Sequence, residues 1–394
     1  MAQSITTLLI VHFFHGIGFG MATTATGAIV ADLIPESRKG EGMGYYGLTL
    51  NLGMVVGPFL GLTIMHHGGT NQLFFINALP NLYMKRMINL MKPRIGMVGQ
   101  GGIAQKAYLP ILSKETDWTF AGAFSPSREK RKAICNQYRI QDFDSLPALA
   151  QECDAVFVHS STESHYEVVS ELLNKGIDVY VDKPLAASIS EAEKLVELSE
   201  KLGRKLMVGF NRRFAPMYVK AKEKANNIAW VRVEKHRTDS VGPYSYEFTM
   251  LDDYLHLVDT VRWLGDGDLS VLYGTVHTND ENQLLYAQHT YESSQNISFT
   301  TAMHRKAGTN LEQIELITDG AIIRVKNMNT TEIEEENAIS TTVSSSWETT
   351  LKQRGFEDAV QHFIYCIQND EQPLVDGLEG LKSQLLVDQL LKQK

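Results

Sequence analysis

Three short clusters of residues carry the chemistry open to this chain. In GQGGIA, residues Gly99, Gly101 and Ala104 stand in G-x-G-x-x-A spacing, with Gly102 and Ile103 between them. Gly99 permits a tight strand-to-helix turn, the missing side chain at Gly101 lets backbone approach a pyrophosphate, and Ala104 lets helix and sheet pack closely. Alone the motif is a weak signal, and a structural Gly-rich turn would look the same. Here it follows a strand and opens a helix, so it is read as a cofactor loop. Some 24 positions past Gly101 stand Ser125, Pro126, Ser127 and Arg128, then Lys130 and Arg131. No carboxylate precedes Glu129 to take a ribose 2′-hydroxyl, whereas hydroxyls with a guanidinium suit a 2′-phosphate. NADP is therefore expected ahead of NAD, although a solvated basic helix face would leave the same residues. Further on, DVYVDKPLA puts Asp182, Lys183 and Pro184 at the carboxyl edge of a sheet, where an ammonium can stabilise a developing alkoxide. In MLDDYLHLVDTVRWLGDGD, Asp252 and His256 are i and i+4 on one helix face, with Asp259 three further on. A carboxylate beside an imidazole orients it and raises its basicity, as a general base near neutral pH requires. Singly, such a lysine is more often solvated and such a pair more often structural.

The elements that must position these groups are visible from Pro93 onward, where short apolar runs alternate with charged helical ones. RIGMVG, WTFAGAFS, AVFVHS, DVYVDK and KLMVGF read as five strands. Between them, GGIAQKAYLPILS, REKRKAICNQY, ESHYEVVSELLNKG and SEAEKLVELSEKLG read as helices. Such alternation implies right-handed crossovers and a parallel, doubly wound sheet, and valine-rich strands buried on both faces agree with it. Later runs, among them WVRVEKHR, LSVLYGTV, NISFTTAMH, IELITDG and AIIRVK, alternate polar and apolar residues as an antiparallel sheet with one open face does. Glu334 to Glu336 and the Ser/Thr stretch after them read as a solvated excursion. FEDAVQHFIYCIQ and LEGLKSQLLVDQLLKQ read as closing helices against the nucleotide-binding half.

In chain order, G-x-G-x-x-A, then D-K-P after the fourth strand, N-R-R-F after the fifth, and D-x-x-x-H-x-x-D resemble the glucose-fructose oxidoreductase, inositol dehydrogenase and MocA (Gfo/Idh/MocA) family over about 300 residues. The resemblance implies an α/β chain with a Rossmann dinucleotide-binding domain over 92–211. It also implies a C-terminal α/β domain over 212–394, with a large, open, mainly antiparallel sheet whose face forms a homo-oligomer interface. Lys183 is then like the lysine of the family's E-K-P motif, Asp252 like its substrate-pocket aspartate and His256 like its acid-base residue. Ser160, Ser161 and Thr162 match the loop over the nicotinamide ribose, and His165 the histidine that opens the next helix. Asn211 and Arg212 would line the pocket, Arg212 either holding a substrate hydroxyl or carboxylate or making an interdomain salt bridge. Asp182, at the cofactor edge, replaces the family's glutamate and would hold Lys183 differently. SYEFTM stands where a glycine-rich run is usual, and the Ser160 loop lacks a common proline. The resemblance implies an oxidoreductase moving a hydride between a nicotinamide and a hydroxyl-bearing carbon of a sugar or polyol. His256 would take the proton, Lys183 steady the oxygen and Asp252 orient His256. A catalytically inactive cofactor-binding sensor or scaffold is the alternative.

Composition bounds the rest. With 394 residues, 43% hydrophobic and 21% charged at net charge −9, the chain is no basic nucleic-acid binder. Cys135, Cys153 and Cys366 form neither a disulfide framework nor a metal site, so a reducing, cytoplasmic setting is expected for the enzyme portion. These averages conceal a division. The first 80 positions hold 13 of the 30 glycines but only five charged residues: Asp32, Glu36, Arg38, Lys39 and Glu41. Ile5 to Ile34 and Met43 to Met65 are each long and apolar enough to cross a bilayer as a helix. Arg38 and Lys39 mark the intervening turn as cytoplasmic, and Gly16, Gly20, Gly53, Gly57 and Gly61 have the spacing of close membrane packing. ADLIPESRKGEGMGYYG and GMVVGPFLG resemble the fourth and fifth helices of major facilitator superfamily transporters. Two helices cannot build a transporter's central site. Residues 1–83 are thus expected to be a non-transporting fragment, fused or mis-joined ahead of Met84, Met87 or Met91, and to reach a membrane only if they insert.

Overall fold

The computed structural model describes residues 13, 24, 43–48, 63, 66, 92–114 and 116–393. The two expected membrane spans therefore lie almost wholly outside the described residues, among which no helix is long and apolar enough to cross a membrane. The chain divides after Asn89 into two units, and the second, Leu90–Lys394, holds both β-sheets.

Short apolar strands buried on both faces build the first sheet of this unit, as a parallel sheet covered by helices requires. The strands are β1 (Arg94–Val98), β2 (Thr119–Phe124), β3 (Gln141–Asp142), β4 (Ala155–Val158), β5 (Asp178–Val181) and β6 (Leu206–Val208). They run in the order β3-β2-β1-β4-β5-β6, every neighbouring pair parallel. The order reverses between β1 and β4, which opens a crevice at their carboxyl ends. The crossovers are α1, a helical run over 102–112 with a π turn at Ala104–Tyr108, then α2 (Arg128–Tyr138), α3 (Leu146–Gln151), α4 (His165–Asn174) and α5 (Ile189–Leu202). Ser188 and Glu191 form a reciprocal capping box that starts α5, and Gly203 at φ 60° ends it. Six strands stand where five were expected. β3, only two polar residues at the sheet edge, carries no hydrophobic signal, and α3 follows it.

After α6 (Pro216–Lys224), the second sheet comprises β7 (Ile228–His236), β8 (Leu269–Thr278), β9 (Leu284–Ser293), β10 (Ser298–His304), β11 (Leu311–Thr318), β12 (Ala321–Lys326), β13 (Thr330–Glu335) and β14 (Ala338–Val343). Its order is β14-β13-β12-β11-β7-β10-β9-β8, antiparallel everywhere except the parallel pair β7–β10. Alternate residues such as Val231, Val233, Phe299, Ile314 and Leu316 are buried, and α7 (Leu255–Leu264) packs on β7 and β10. The opposite face is open and carries exposed Trp230 and Tyr286. The acidic run expected as a solvated excursion is instead the hairpin β13–β14. Glu334 pairs with Arg324, and Glu332 with Lys326, across from β12, so charge complementarity seats an acidic segment in the ladder. The closing helices α8 (Phe356–Asn369) and α9 (Gly377–Lys392) pack against α1 and against α5 and β6.

Candidate functional site

A cavity of about 570 Å³ lies where the carboxyl ends of β1, β4, β5 and β6 meet the segment that leads into α7. Of the residues singled out in the sequence, Ile103, Ser160, Ser161, Thr162, His165, Asp182, Lys183, Asn211, Arg212, Asp252 and His256 line it. Gly99, Gly101, Gly102, Ala104, Ser125, Ser127 and Arg128 do not line it but follow β1 and β2 along the same sheet edge.

The β1–α1 turn has the shape a dinucleotide needs. Gly99 has φ 86°, and a Cβ there would lie 2.5 Å from the main chain of His159, so no other residue fits. At Gly101 the nearest atom to a built Cβ is the His159 carbonyl oxygen at 3.9 Å, which leaves the loop open above it, while Ala104 is fully buried beneath. At the end of β2, Ser127 and Arg128 are exposed. Arg131 is neither a phosphate ligand nor part of a solvated face: it is buried, paired with Asp142 and donating to the Ser125 carbonyl.

His165 ties two loops together, Nδ1 at 2.9 Å from the Pro184 carbonyl and Nε2 at 3.2 Å from that of Ser160. Asp182 accepts from the main-chain amide of Lys183 at 3.0 Å and so does not reach its ammonium; burial raises the Asp182 pKa. The Lys183 ammonium is held across the cavity, donating to Oδ1 of Asp252 at 2.5 Å and to its carbonyl at 2.7 Å. This overturns the expected Asp252–His256 pair. A π turn at Met250–Tyr254 adds a residue just before His256, which breaks the i, i+4 register and rotates Asp252 toward Lys183.

His256 instead meets Arg212, whose Nη1 is 3.1 Å from Nδ1 and 3.2 Å from Nε2. Nearly equal distances put Nη1 over the ring between the two nitrogens, along neither lone pair. Arg212 is not free to anchor a substrate. Both oxygens of Glu312 on β11 hold it, at 2.7 and 3.1 Å, which makes it the salt bridge between the halves, and Nη1 also donates to Asn211 Oδ1 at 3.1 Å. Behind them Lys235 pairs with Asp253 and lies 3.9 Å from Glu312. Burial, then Arg212, Lys235 and Lys183, hold the His256 pKa well below the ordinary imidazole value. Burial brings Lys235 down to about 8; it opposes ionisation of Glu312 as well, but Arg212 and Lys235 prevail and keep that carboxyl at about 2. Asp259 is committed elsewhere, to Arg213 and Ser383. The arrangement is thus a fixed ammonium and a neutral imidazole on one cavity, backed by a closed ionic network.

Sequence reasoning missed Tyr244, Phe248, Arg354 and Phe356 in the wall, and Lys235, Asp253 and Glu312 behind it. Tyr244 and Phe248, four apart, were legible as an aromatic pair. Lys235 and Glu312 occupy inward positions of otherwise apolar strands, a signal open to strand alternation. Nothing in the sequence marks Arg354.

Residues 93–210 match the oxidoreductase family with an NAD-binding Rossmann fold, Gfo/Idh/MocA, and residues 216–336 match the YceM-like C-terminal domain. Residues 1–86 match the Major Facilitator Superfamily. The chain is 49% identical over 297 residues to YceM of Salmonella typhimurium, covering 75% of this chain and 96% of that protein. It is 24% identical over 324 residues to an inositol 2-dehydrogenase/D-chiro-inositol 3-dehydrogenase of Halalkalibacterium halodurans, covering 77% and 91%. Among solved structures, the dehydrogenase MviM of Clostridium difficile superposes with TM-score 0.75 at 45% identity, covering 77% of this chain and 99% of that one. From residue 93 onward, the chain belongs to the Gfo/Idh/MocA family of oxidoreductases and is a dehydrogenase acting on CH–OH groups.

Proposed function

We propose that the enzyme moves a hydride reversibly between a nicotinamide and the hydroxyl-bearing carbon of a sugar, polyol or derivative held in this cavity. One observation carries the reading: the Lys183 ammonium, fixed by Asp252, and the His256 imidazole, kept neutral by burial and Arg212, line the same cavity at the carboxyl edge of the sheet. Lys183 donates to the substrate oxygen and stabilises negative charge as it develops. His256 accepts the hydroxyl proton, a role open to it because Arg212 covers its ring and neither lone pair. Asp252 positions Lys183, not His256. Acid–base help of this kind contributes about 10² to 10⁴ in rate. The bound dinucleotide supplies the hydride-accepting carbon. Gly99, Gly101, Gly102, Ile103 and Ala104 would cradle its pyrophosphate, and Ser160, Ser161, Thr162 and His165 its nicotinamide ribose.

Exposed Ser127 and Arg128 favour NADP over NAD, with Ser125 contributing its backbone turn; Arg131 adds nothing. The likeness to an inositol dehydrogenase supports a polyhydroxylated substrate. Residues 92–211 and 212–394 serve as nucleotide and substrate domains, with the open sheet face, where Trp230 and Tyr286 are exposed, as the surface for self-association. The test is fluorescence titration of the purified protein with NADPH and NADH, then a panel of sugars and polyols followed by nicotinamide absorbance. Binding of both nucleotides, NADPH the tighter, with turnover on a panel member, is the expected result.

A further inference from the structure

The cavity wall holds three cations, and two of them already have a carboxylate partner. Lys183 is engaged by Asp252 and Arg212 by both oxygens of Glu312. Arg354 lines the same wall, is exposed, and its guanidinium has no hydrogen bond or ion pair among the described residues.

Its backbone, by contrast, is pinned. Asn211 Nδ2 donates to the Arg354 carbonyl at 2.7 Å. Gly355 follows with φ 77°, where a Cβ would come within 2.3 Å of the Asn211 carbonyl oxygen and 2.5 Å of Ala215 N. The Phe356 ring packs edge-on against Tyr108, centroids 5.6 Å apart. A rigid segment therefore presents an uncompensated cation to the cavity. Tyr244 and Phe248 line the same cavity, their rings stacked 4.4 Å apart at 28°. Glu163 also lines the cavity, but it belongs to the Thr162–Ser164 turn and makes no ion pair with Arg354.

We propose that Arg354 is the subsite for an anionic group, a carboxylate or phosphate, on the substrate, so that the enzyme takes an acidic or phosphorylated sugar or polyol in preference to a neutral one. A guanidinium offers planar paired donors that match either anion. The rings of Tyr244 and Phe248 offer apolar area to the C–H face of the substrate ring. The assignment rests on the reading that this cavity is where a hydroxyl-bearing carbon reacts, so binding and turnover are measured separately.

The experiment is calorimetric titration of the full-length protein, saturated with NADPH, with D-glucuronate, D-glucose 6-phosphate, D-glucose and myo-inositol. At least one anionic probe should bind about tenfold or more tightly than glucose, and the two anionic arms distinguish carboxylate from phosphate. Arg354→Ala should remove that preference, and Arg354→Lys should keep part of it, with NADPH affinity changed by less than about threefold. An unaltered unfolding midpoint confirms that each variant is folded. No anionic preference in the wild type, including no measurable binding of either anionic probe, overturns the assignment. So does a preference that survives Arg354→Ala, or a variant that loses NADPH affinity instead, which would give Arg354 to the cofactor phosphates. Turnover on the same panel reads the hydride-transfer proposal on its own: anionic preference without turnover overturns that proposal and leaves the subsite standing.

Discussion

Lys183 and His256 reach one cavity from opposite halves of the enzyme, and each is set by a neighbour the spacing did not indicate. Lys183 was legible because a polar residue just past a buried parallel strand has to emerge at the ligand edge of the sheet. Its partner was not legible, because the i, i+4 rule assumes an unbroken α-helix and the π turn at Met250–Tyr254 removes that assumption. Arg212 was half legible: its place in the wall was expected, its commitment to Glu312 a hundred residues away was not. The protonation of His256 follows from that network. As a base it must be neutral, and its pKa lies well below 6.5, so kcat/KM should stay flat as pH falls through 6.5 and drop only at more acidic pH. Replacing the pair together, Arg212→Met with Glu312→Gln, leaves no lone buried charge. It removes a cation from the imidazole and should move the acid limb of the kcat/KM profile upward toward 6.5. A limb at 6.5 in the wild type would remove His256 as the neutral base.

The elements were read best where burial is two-sided. β1, β2, β4, β5 and β6 are continuous apolar runs and were all found, whereas β3 is two polar residues and β13–β14 an acidic and Ser/Thr hairpin held by Arg324 and Lys326. Their pairing is a long-range property, invisible to a local pattern. The docking of α9 on β6 shows how tightly the closing helices set the site edge. A Cβ on Gly380 would meet Val208 Cγ2 at 2.4 Å, and Val208 ends the strand that leads to Asn211 and Arg212. Gly380→Ala should therefore cost about 1 to 3 kcal/mol in urea unfolding, despite the gain in helix propensity. Unchanged or increased stability would mean that the contact relaxes freely.

The division of the whole chain was legible from charge density alone, and the separate matches of 1–86 and 93–210 agree with it. The membrane spans expected within 1–83 lie almost wholly outside the described residues. Among the buried histidines of the unit Leu90–Lys394, burial holds three as neutral rings: His159, whose pKa it lowers to about 3, His289, lowered to about 4, and His256. Each folded pKa lies below the unfolded value near 6.5, so the unfolded chain binds more protons and stability falls as pH drops below 6.5. Between pH 7 and 5.5 the three together should cost about 3 to 4 kcal/mol in urea unfolding, and a flat profile would show that these rings are not held neutral. The proposed hydride transfer runs from the carbinol carbon to the nicotinamide while Lys183 steadies the oxygen. Its most direct measurement uses a sugar or polyol deuterated at the carbinol carbon, incubated with oxidised cofactor, with the reduced cofactor read by mass spectrometry. Deuterium is expected on the nicotinamide ring with the wild type, and a rate about 10² to 10³ lower with Lys183→Met at nearly unchanged nucleotide affinity. Unlabelled reduced cofactor would rule out direct transfer, and a labelling rate undiminished by Lys183→Met would remove Lys183 from the reaction.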